Sequence, residues 1–134
     1  VILALMCSFF ASKAQEKDSV ALNRKRNVPV NQYGVASFYA DKFEGQRTCT
    51  DEVFTQKKLT AACNTLPLNC WIKVTNLRNK KSVFVRINDR MHPRMSQKGR
   101  VLDLTYTAAK QLQIVTRGVA KVKVEPISPD VAQN

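Results

Sequence analysis

Histidine and acidic residues are scarce in this sequence. There is one His, and there are 10 Asp and Glu residues against 22 Lys and Arg, which gives a net charge of +12. A metal site would therefore have to rely on Cys and carboxylates, and Cys49, Cys63 and Cys70 lack the fourth ligand of a standard zinc set. We predict neither a metal nor another cofactor.

A basic helix is also missing, and no aromatic residues are interleaved with the basic ones. Lys and Arg are scattered over the whole length instead of forming the stripe that nucleic-acid-binding domains use. The sequence therefore predicts no nucleic-acid partner. A surface of this charge suits an anionic cell wall or membrane surface.

No apolar run is long enough to span a bilayer. Residues 1–11 are apolar, and the small residues Ser12 and Ala14 occupy the positions that a signal peptidase reads. We predict that residues 1–14 are a partial signal peptide cut after Ala14. The alternative is a buried strand or helix of the fold. Cys7 raises the option of a lipid anchor, which the bulky Met6 disfavours.

The ends of the chain are predicted to lie outside the folded unit. Residues 15–33 are polar and aperiodic and form a flexible lead-in, and residues 127–134 form a disordered tail. One domain then covers residues 34–126. In the oxidising compartment that an exported protein meets, one disulfide and one spare thiol account for the three central cysteines, with three pairings open.

Short apolar runs bounded by Asn, Asp, Pro and Gly predict a mainly β fold. Thr105 is predicted to cap a helix that runs through Leu112, and Trp71 is predicted to pack in the barrel. Several short strands and one or two short helices favour a small six-stranded closed barrel, because closure removes exposed edges. The predicted strands are 34–40, 59–63, 70–75, 82–88, 101–104 and 118–125.

The run from Asn88 to Arg90 places a carboxylate, Asp89, at the end of an apolar strand. A strand end is a position where a rigid scaffold can hold a reactive acid. The alternative is that Asp89 caps a turn or pairs with Arg90.

Several motifs in register resemble those of the RlpA (rare lipoprotein A) family, whose members carry a double-psi β-barrel in the bacterial cell envelope. The resemblance covers residues 34–125. It is carried by Gly-Val-Ala-Ser-Phe-Tyr at 34–39, Leu-Thr-Ala-Ala at 59–62, Thr-Leu-Pro at 65–67, Val-Arg-Ile-Asn-Asp-Arg at 85–90 and Leu-Asp-Leu at 102–104.

The resemblance implies a septal-ring-type lytic transglycosylase that cuts peptidoglycan glycan strands and leaves 1,6-anhydro ends. Its catalytic positions fall on Asp89, as acid and then base, and on Glu52, which would polarise the substrate or share the proton transfer. The family His falls on Cys63. Two further departures are Thr50-Asp51, where the family usually has Asn-Gly, and Met91-His92-Pro93, where many members have Gly-Pro.

Other positions follow from the same resemblance. Related expansin-type barrels imply a Cys49–Cys70 disulfide. Asp103 is either a third acid of the groove or a helix cap, and we favour the cap. The implied substrate-binding residues are Cys63, Asp103, Arg90, His92 and Tyr39, with Tyr39 as a possible sugar-stacking platform.

The implied protein is an exported monomer of the periplasm or cell envelope. Its partners are peptidoglycan glycan strands and cell-division envelope proteins. Two other functions stay open: a non-catalytic, expansin-like module that binds glycan or loosens the wall, and a protease-inhibitor-like barrel. Retention of Glu52 and Asp89 favours the enzyme, whereas Cys63 in place of His favours the binding module.

Overall fold

The computed structural model describes residues 31–127. The predicted signal peptide, the anchoring option at Cys7, most of the lead-in and nearly all of the tail lie outside the described residues.

Six strands close into a barrel, which confirms the predicted fold class. They are β1 (Gln32–Phe38), β2 (Thr60–Ala62), β3 (Trp71–Asn76), β4 (Ser82–Asp89), β5 (Arg100–Leu104) and β6 (Ala120–Ile127). Around the barrel the order is β1-β5-β2-β4-β3-β6. The β1–β5 and β2–β4 pairs are parallel, and the other four are antiparallel.

The β3–β4 hairpin follows directly from the alternation of apolar and polar residues. Ile72 and Val74 of β3 and Val85 of β4 are buried, whereas their sequence neighbours face outward. Trp71 shares the outward face with Lys73 and is half-buried, so the prediction that it packs inside the barrel is wrong. Side chains two apart on a strand lie on the same face. The barrel interior is therefore filled by Ile72 and Val74, and Trp71 and Lys73 lie on the opposite face.

Strands β1 and β5 approach each other closely where Gly34 lies. A β-carbon at this position would collide with Cγ1 of Val101 on β5. Any other residue here would force the Val101 side chain or the backbone to move, which explains a Gly inside the first strand.

Two short helices flank β5. Helix α1 (Pro93–Gln97) was not predicted as an element, although His92 accepts a hydrogen bond from Arg94 N–H and Pro93 occupies the first turn. Helix α2 (Tyr106–Gln111) begins after Thr105, whose hydroxyl accepts from Ala108 N–H. The prediction that Thr105 caps this helix is confirmed.

The apolar residues divide into two clusters. The barrel interior is filled mainly by aliphatic side chains from all six strands and α2. A second, smaller cluster lies outside it at the end of β4 and comprises Tyr39, Phe54, Ala62 and Met91. Within residues 31–127 no helix is long and apolar enough to cross a membrane.

Candidate active site

A pocket of about 390 Å³ opens beside the second cluster. Asp89, Asp103 and Tyr39 line it, together with Arg90 and His92. A larger cavity of about 830 Å³ lies between the β3–β4 turn and the segment leading into β6, and no carboxylate lines it. The smaller pocket is therefore the candidate for acid–base chemistry.

The strand order places two carboxylates on opposite sides of Ala62. In the sheet, Ala62 of β2 pairs with Asp89 of β4 on one side and with Asp103 of β5 on the other. Two interstrand spacings separate their Cα atoms by about 10 Å. Because Ala62 carries only a methyl group, the floor between the two acids stays open.

Asp89 is held by three hydrogen-bond donors. Tyr39 Oη donates to its Oδ2 at 2.6 Å, and the N–H groups of Arg90 and Cys49 donate to its Oδ1 at 2.9 and 3.1 Å. Backbone N–H groups can only donate, so Oδ1 is fixed as an acceptor. The carboxylate is therefore oriented before any substrate arrives.

Asp103 lies in a different environment from Asp89. Burial raises the pKa of its carboxyl group, and the negative charge of Asp89 acts in the same direction, against the hydrogen bond from Ser37 Oγ at 3.1 Å and the charge of Arg100. Thr105 caps α2 instead, so the favoured interpretation of Asp103 as a helix cap is wrong. The second carboxyl of the pocket is Asp103.

Tyr39 contributes its hydroxyl to the site, while its ring is packed away. The ring contacts Phe54 at 4.3 Å and Phe43 at 5.7 Å between centroids, and the residue is 8% exposed. Burial, followed by the hydrogen bond to Asp89, raises the pKa of the phenol far above its ordinary range. The buried ring has no free face for a sugar, so Tyr39 is not a stacking platform.

Glu52 does not line the pocket. Both of its carboxylate oxygens accept from the Arg86 guanidinium at 2.6 Å, and Thr50 Oγ1 donates at 2.7 Å. These bonds, led by the one from Arg86, lower the pKa of Glu52 to about 2. A carboxylate ionised throughout the ordinary pH range does not transfer protons, which argues against the predicted proton-sharing role.

Glu52 instead anchors the loop that reaches Asp89. Thr50 N–H donates to the carbonyl of Asn88, and the next residue back, Cys49, supplies one of the donors to Asp89. Asp51 has φ of 64°, the left-handed conformation that Gly adopts freely and Asp tolerates. The loop thus keeps its turn without a Gly.

Cys63 lies behind the pocket and does not line it. It is 1% exposed, belongs to the barrel core, and its thiol contacts Thr65 Oγ1 at 3.4 Å. A side chain with this burial cannot touch a substrate, so the structure does not support Cys63 as a substrate-binding residue.

Replacing Cys63 by His is expected to destabilise the protein without raising its activity. An imidazole is larger than the thiol, and overpacking a core costs about 1–3 kcal/mol. Thermal unfolding should show a lower Tm for Cys63→His, with Cys63→Ala as the matched variant that only removes volume. Unchanged stability together with a tenfold gain in turnover would show that the position does face the reaction.

The predicted Cys49–Cys70 disulfide is not formed. Cys49, Cys63 and Cys70 are all free thiols. Cys49 is exposed on the loop next to Asp89, whereas Cys70 packs against the barrel core that contains Cys63. Burial, followed by the nearby Cys63, raises the pKa of the Cys70 thiol.

Arg90 and His92 line the pocket, and each has part of its polar surface engaged within the protein. The Arg90 guanidinium donates to the carbonyl oxygens of Cys63 and Leu66 and so fixes the segment after β2. His92 Nδ1 accepts from Arg94 N–H at 3.2 Å, which leaves Nε2 free. His92 is exposed and is the side chain better placed to meet a ligand.

Sequence reasoning missed Ala62, Ser37 and Arg86. Ser37 stands between Ala36 and Phe38 in the sequence, and a small polar residue between apolar ones is a signal that could have marked it as the partner of a groove residue. In the described part of the chain, no group of three or more His, Cys, Asp or Glu side chains could hold a metal ion.

Comparison with known proteins gives a family for the chain. Residues 31–124 match the family described as "Lytic transglycolase". "Endolytic peptidoglycan transglycosylase RlpA" of Pasteurella multocida is 46% identical over 97 residues, which cover 72% of this chain and 32% of that protein. The protein of the same name from Pseudomonas aeruginosa is 50% identical over 96 residues, covering 72% of this chain and 27% of its own length. The chain thus spans about a third of the length of these curated relatives.

Two solved structures share the fold at low sequence identity. The Streptomyces papain inhibitor has a TM-score of 0.57 at 17% identity, covering 76% of this chain and all of its own. The Clavibacter michiganensis expansin has a TM-score of 0.55 at 17% identity, covering 74% of this chain and 51% of its own. The family match takes in the strands that carry both carboxylates, and the chain belongs to the lytic transglycolase family.

Proposed function

We propose that this chain is an exported peptidoglycan lytic transglycosylase of the periplasm or cell envelope. The observation that carries the proposal is the pair of carboxyl groups on either side of Ala62, one with a raised pKa and one held by three donors. The names of the relatives support the substrate class. The net charge of +12 favours association with an anionic wall.

The reaction needs one proton donor and one proton acceptor. Asp103 protonates the oxygen of the glycosidic bond, because it lies across Ala62 from Asp89 and burial shifts its pKa in the direction that favours the acid form. The bond then breaks through an oxocarbenium-like state, which the nearby carboxylate of Asp89 stabilises.

The sugar's own 6-hydroxyl then closes the ring. Its oxygen attacks the anomeric carbon, and its proton passes to Asp89, which gives a 1,6-anhydro end without consuming water. The proton lost by Asp103 and the proton gained by Asp89 balance, and exchange with solvent restores both groups. This division of labour replaces the expectation that Asp89 acts first as acid and then as base.

Glu52 acts in this proposal as a positioning residue. Its ion pair with Arg86 holds the loop whose Cys49 N–H donates to Asp89. The carboxylate needs no contact with the substrate for this role.

Glu52→Gln is expected to lower the free energy of unfolding by about 1–2 kcal/mol at neutral pH, a value reduced because the Glu52 side chain is 29% exposed. The folded-state pKa of about 2 lies below the ordinary 4.5. The difference between wild type and variant should therefore be complete above pH 4.5 and should disappear as the pH falls towards 2. Denaturant unfolding at a series of pH values measures it.

A double-mutant cycle with Arg86→Gln separates positioning from direct catalysis. If Glu52 acts only through Arg86, the two single variants and the double variant lose similar activity, since each breaks the same pair. A loss for Glu52→Gln far larger than for Arg86→Gln, with additive effects, would mean that Glu52 meets the substrate.

The proposed function is tested by incubating purified peptidoglycan with the protein and analysing the soluble products by mass spectrometry. Fragments with 1,6-anhydro-N-acetylmuramic acid ends are expected. Reducing ends would identify a hydrolase, and retained glycan binding with no product would identify the expansin-like binding module.

A further inference from the structure

A second concavity of about 410 Å³ adjoins the acid pocket. The two share Tyr39 as a lining residue, which places the concavity next to the acid pocket. Its other walls are Phe38, Ala40, Asp41, Gln56 and Tyr106, none of which the proposed reaction uses. The volume falls in the range of small-ligand pockets, about 300–1,000 Å³.

Two aromatic rings form one wall of this concavity. Tyr106 is 42% exposed, although a large apolar ring is normally covered, and Phe38 supports it edge-to-face at 6.3 Å between centroids. An exposed ring fixed by a second ring offers a flat apolar surface. The C–H face of a pyranose packs on a surface of this kind.

Polar groups complete the site. Asp41 is an exposed carboxylate that can accept hydrogen bonds from sugar hydroxyls. Gln56 is fixed because Oε1 accepts from Tyr106 N–H at 2.7 Å and Nε2 donates to the carbonyl of Tyr39 at 3.0 Å. The walls are thus tied together before binding, which lowers the conformational entropy that the protein loses when a ligand binds.

We propose that this concavity, the Tyr106 subsite, binds an N-acetylglucosamine unit of the glycan strand next to the unit that reacts. The inference rests on the proposed function for the identity of the strand. Peptidoglycan alternates two sugars, so the neighbour of a reacting muramic acid unit is N-acetylglucosamine. That sugar is neutral and is compatible with Asp41, whereas the carboxylate of a muramic acid would be repelled.

The test measures the affinity of the full chain for chitohexaose, a soluble oligomer of N-acetylglucosamine, by isothermal titration calorimetry. All variants carry Asp89→Asn so that turnover cannot consume the probe. Tyr106→Ala is expected to weaken binding by about tenfold or more, as removal of an aromatic anchor does. Tyr106→Phe keeps the ring and should bind within about twofold of the parent.

Tyr33→Ala is the matched control, because Tyr33 is also an exposed tyrosine, at 63%, and does not line the concavity. Equal losses for Tyr106→Ala and Tyr33→Ala, no loss for Tyr106→Ala, or no binding by the parent would each overturn the subsite. The two proposals fail separately. If chitohexaose binding depends on Tyr106 but the wild-type protein releases no anhydro products from peptidoglycan, the subsite is retained and the proposed reaction is refuted.

Discussion

Asp89→Asn is expected to abolish release of 1,6-anhydro fragments, with a loss of about 100- to 10,000-fold in kcat/KM. The amide keeps the shape of the carboxylate. Its oxygen can still accept from the N–H groups of Arg90 and Cys49, and its NH₂ can donate to Tyr39 Oη, which also accepts. It can neither take up a proton nor stabilise positive charge. Quantified anhydro products from wild type and variant give the ratio.

Asp51→Asn is the control for this substitution. Asp51 is exposed on the neighbouring loop, with a side chain that is 90% accessible, and Asn tolerates its positive φ. It should retain full activity and a wild-type Tm. Turnover by Asp89→Asn within tenfold of wild type would remove Asp89 from the chemistry.

Asp103→Asn is expected to have an effect of similar size, about 100- to 10,000-fold, and to change the pH profile as well. A general acid must be protonated, so wild-type activity should fall as the pH rises through the pKa of Asp103, which burial moves upward. The variant has no group to deprotonate there. The pH profile of its residual kcat/KM should therefore lack this fall at higher pH.

The leaving group distinguishes an acid from a structural residue at position 103. The 4-nitrophenolate of a 4-nitrophenyl glycoside leaves without protonation. Asp103→Asn should therefore act on this substrate almost as well as the wild type, whereas Asp89→Asn should stay impaired. Equal impairment on both substrates would mean that Asp103 is needed only for the shape of the pocket. Full activity of Asp103→Asn on peptidoglycan would assign both proton transfers to Asp89.

Local sequence patterns were sufficient for much of the fold. The alternation in β3 and β4 marks the hairpin, and Thr105 marks the start of α2, since capping depends on residues within one helical turn. The first strand begins at Gln32, earlier than predicted, because Gln32 and Tyr33 pair with β6, and a polar residue in a strand gives no local signal for this.

The site depends on contacts that local patterns do not contain. Asp103 faces Asp89 only because the short strand β2 separates β4 from β5, a strand order set by the closed barrel. Glu52 meets Arg86, 34 residues later. The family register alone could not show that the Glu52 carboxylate is held in an ion pair with this Arg. Family position likewise could not show that the side chain of Cys63 is in the core.

Cys63 in place of the family His is therefore a weaker argument against catalysis than it was from the sequence alone. Both carboxylates of the proposed reaction are present, and their partners Tyr39 and Ser37 come from β1 and the residue that follows it. A site built on four adjacent strands keeps its geometry without a side chain from position 63.

The central claim is that the two carboxylates direct an intramolecular attack by the 6-hydroxyl instead of an attack by water. Digestion of peptidoglycan in water enriched in oxygen-18, followed by mass spectrometry of the new ends, tests it most directly. The account predicts ends that carry no oxygen-18 and are lighter by one water than a hydrolytic product. Ends that contain one oxygen-18 atom from the solvent would contradict it.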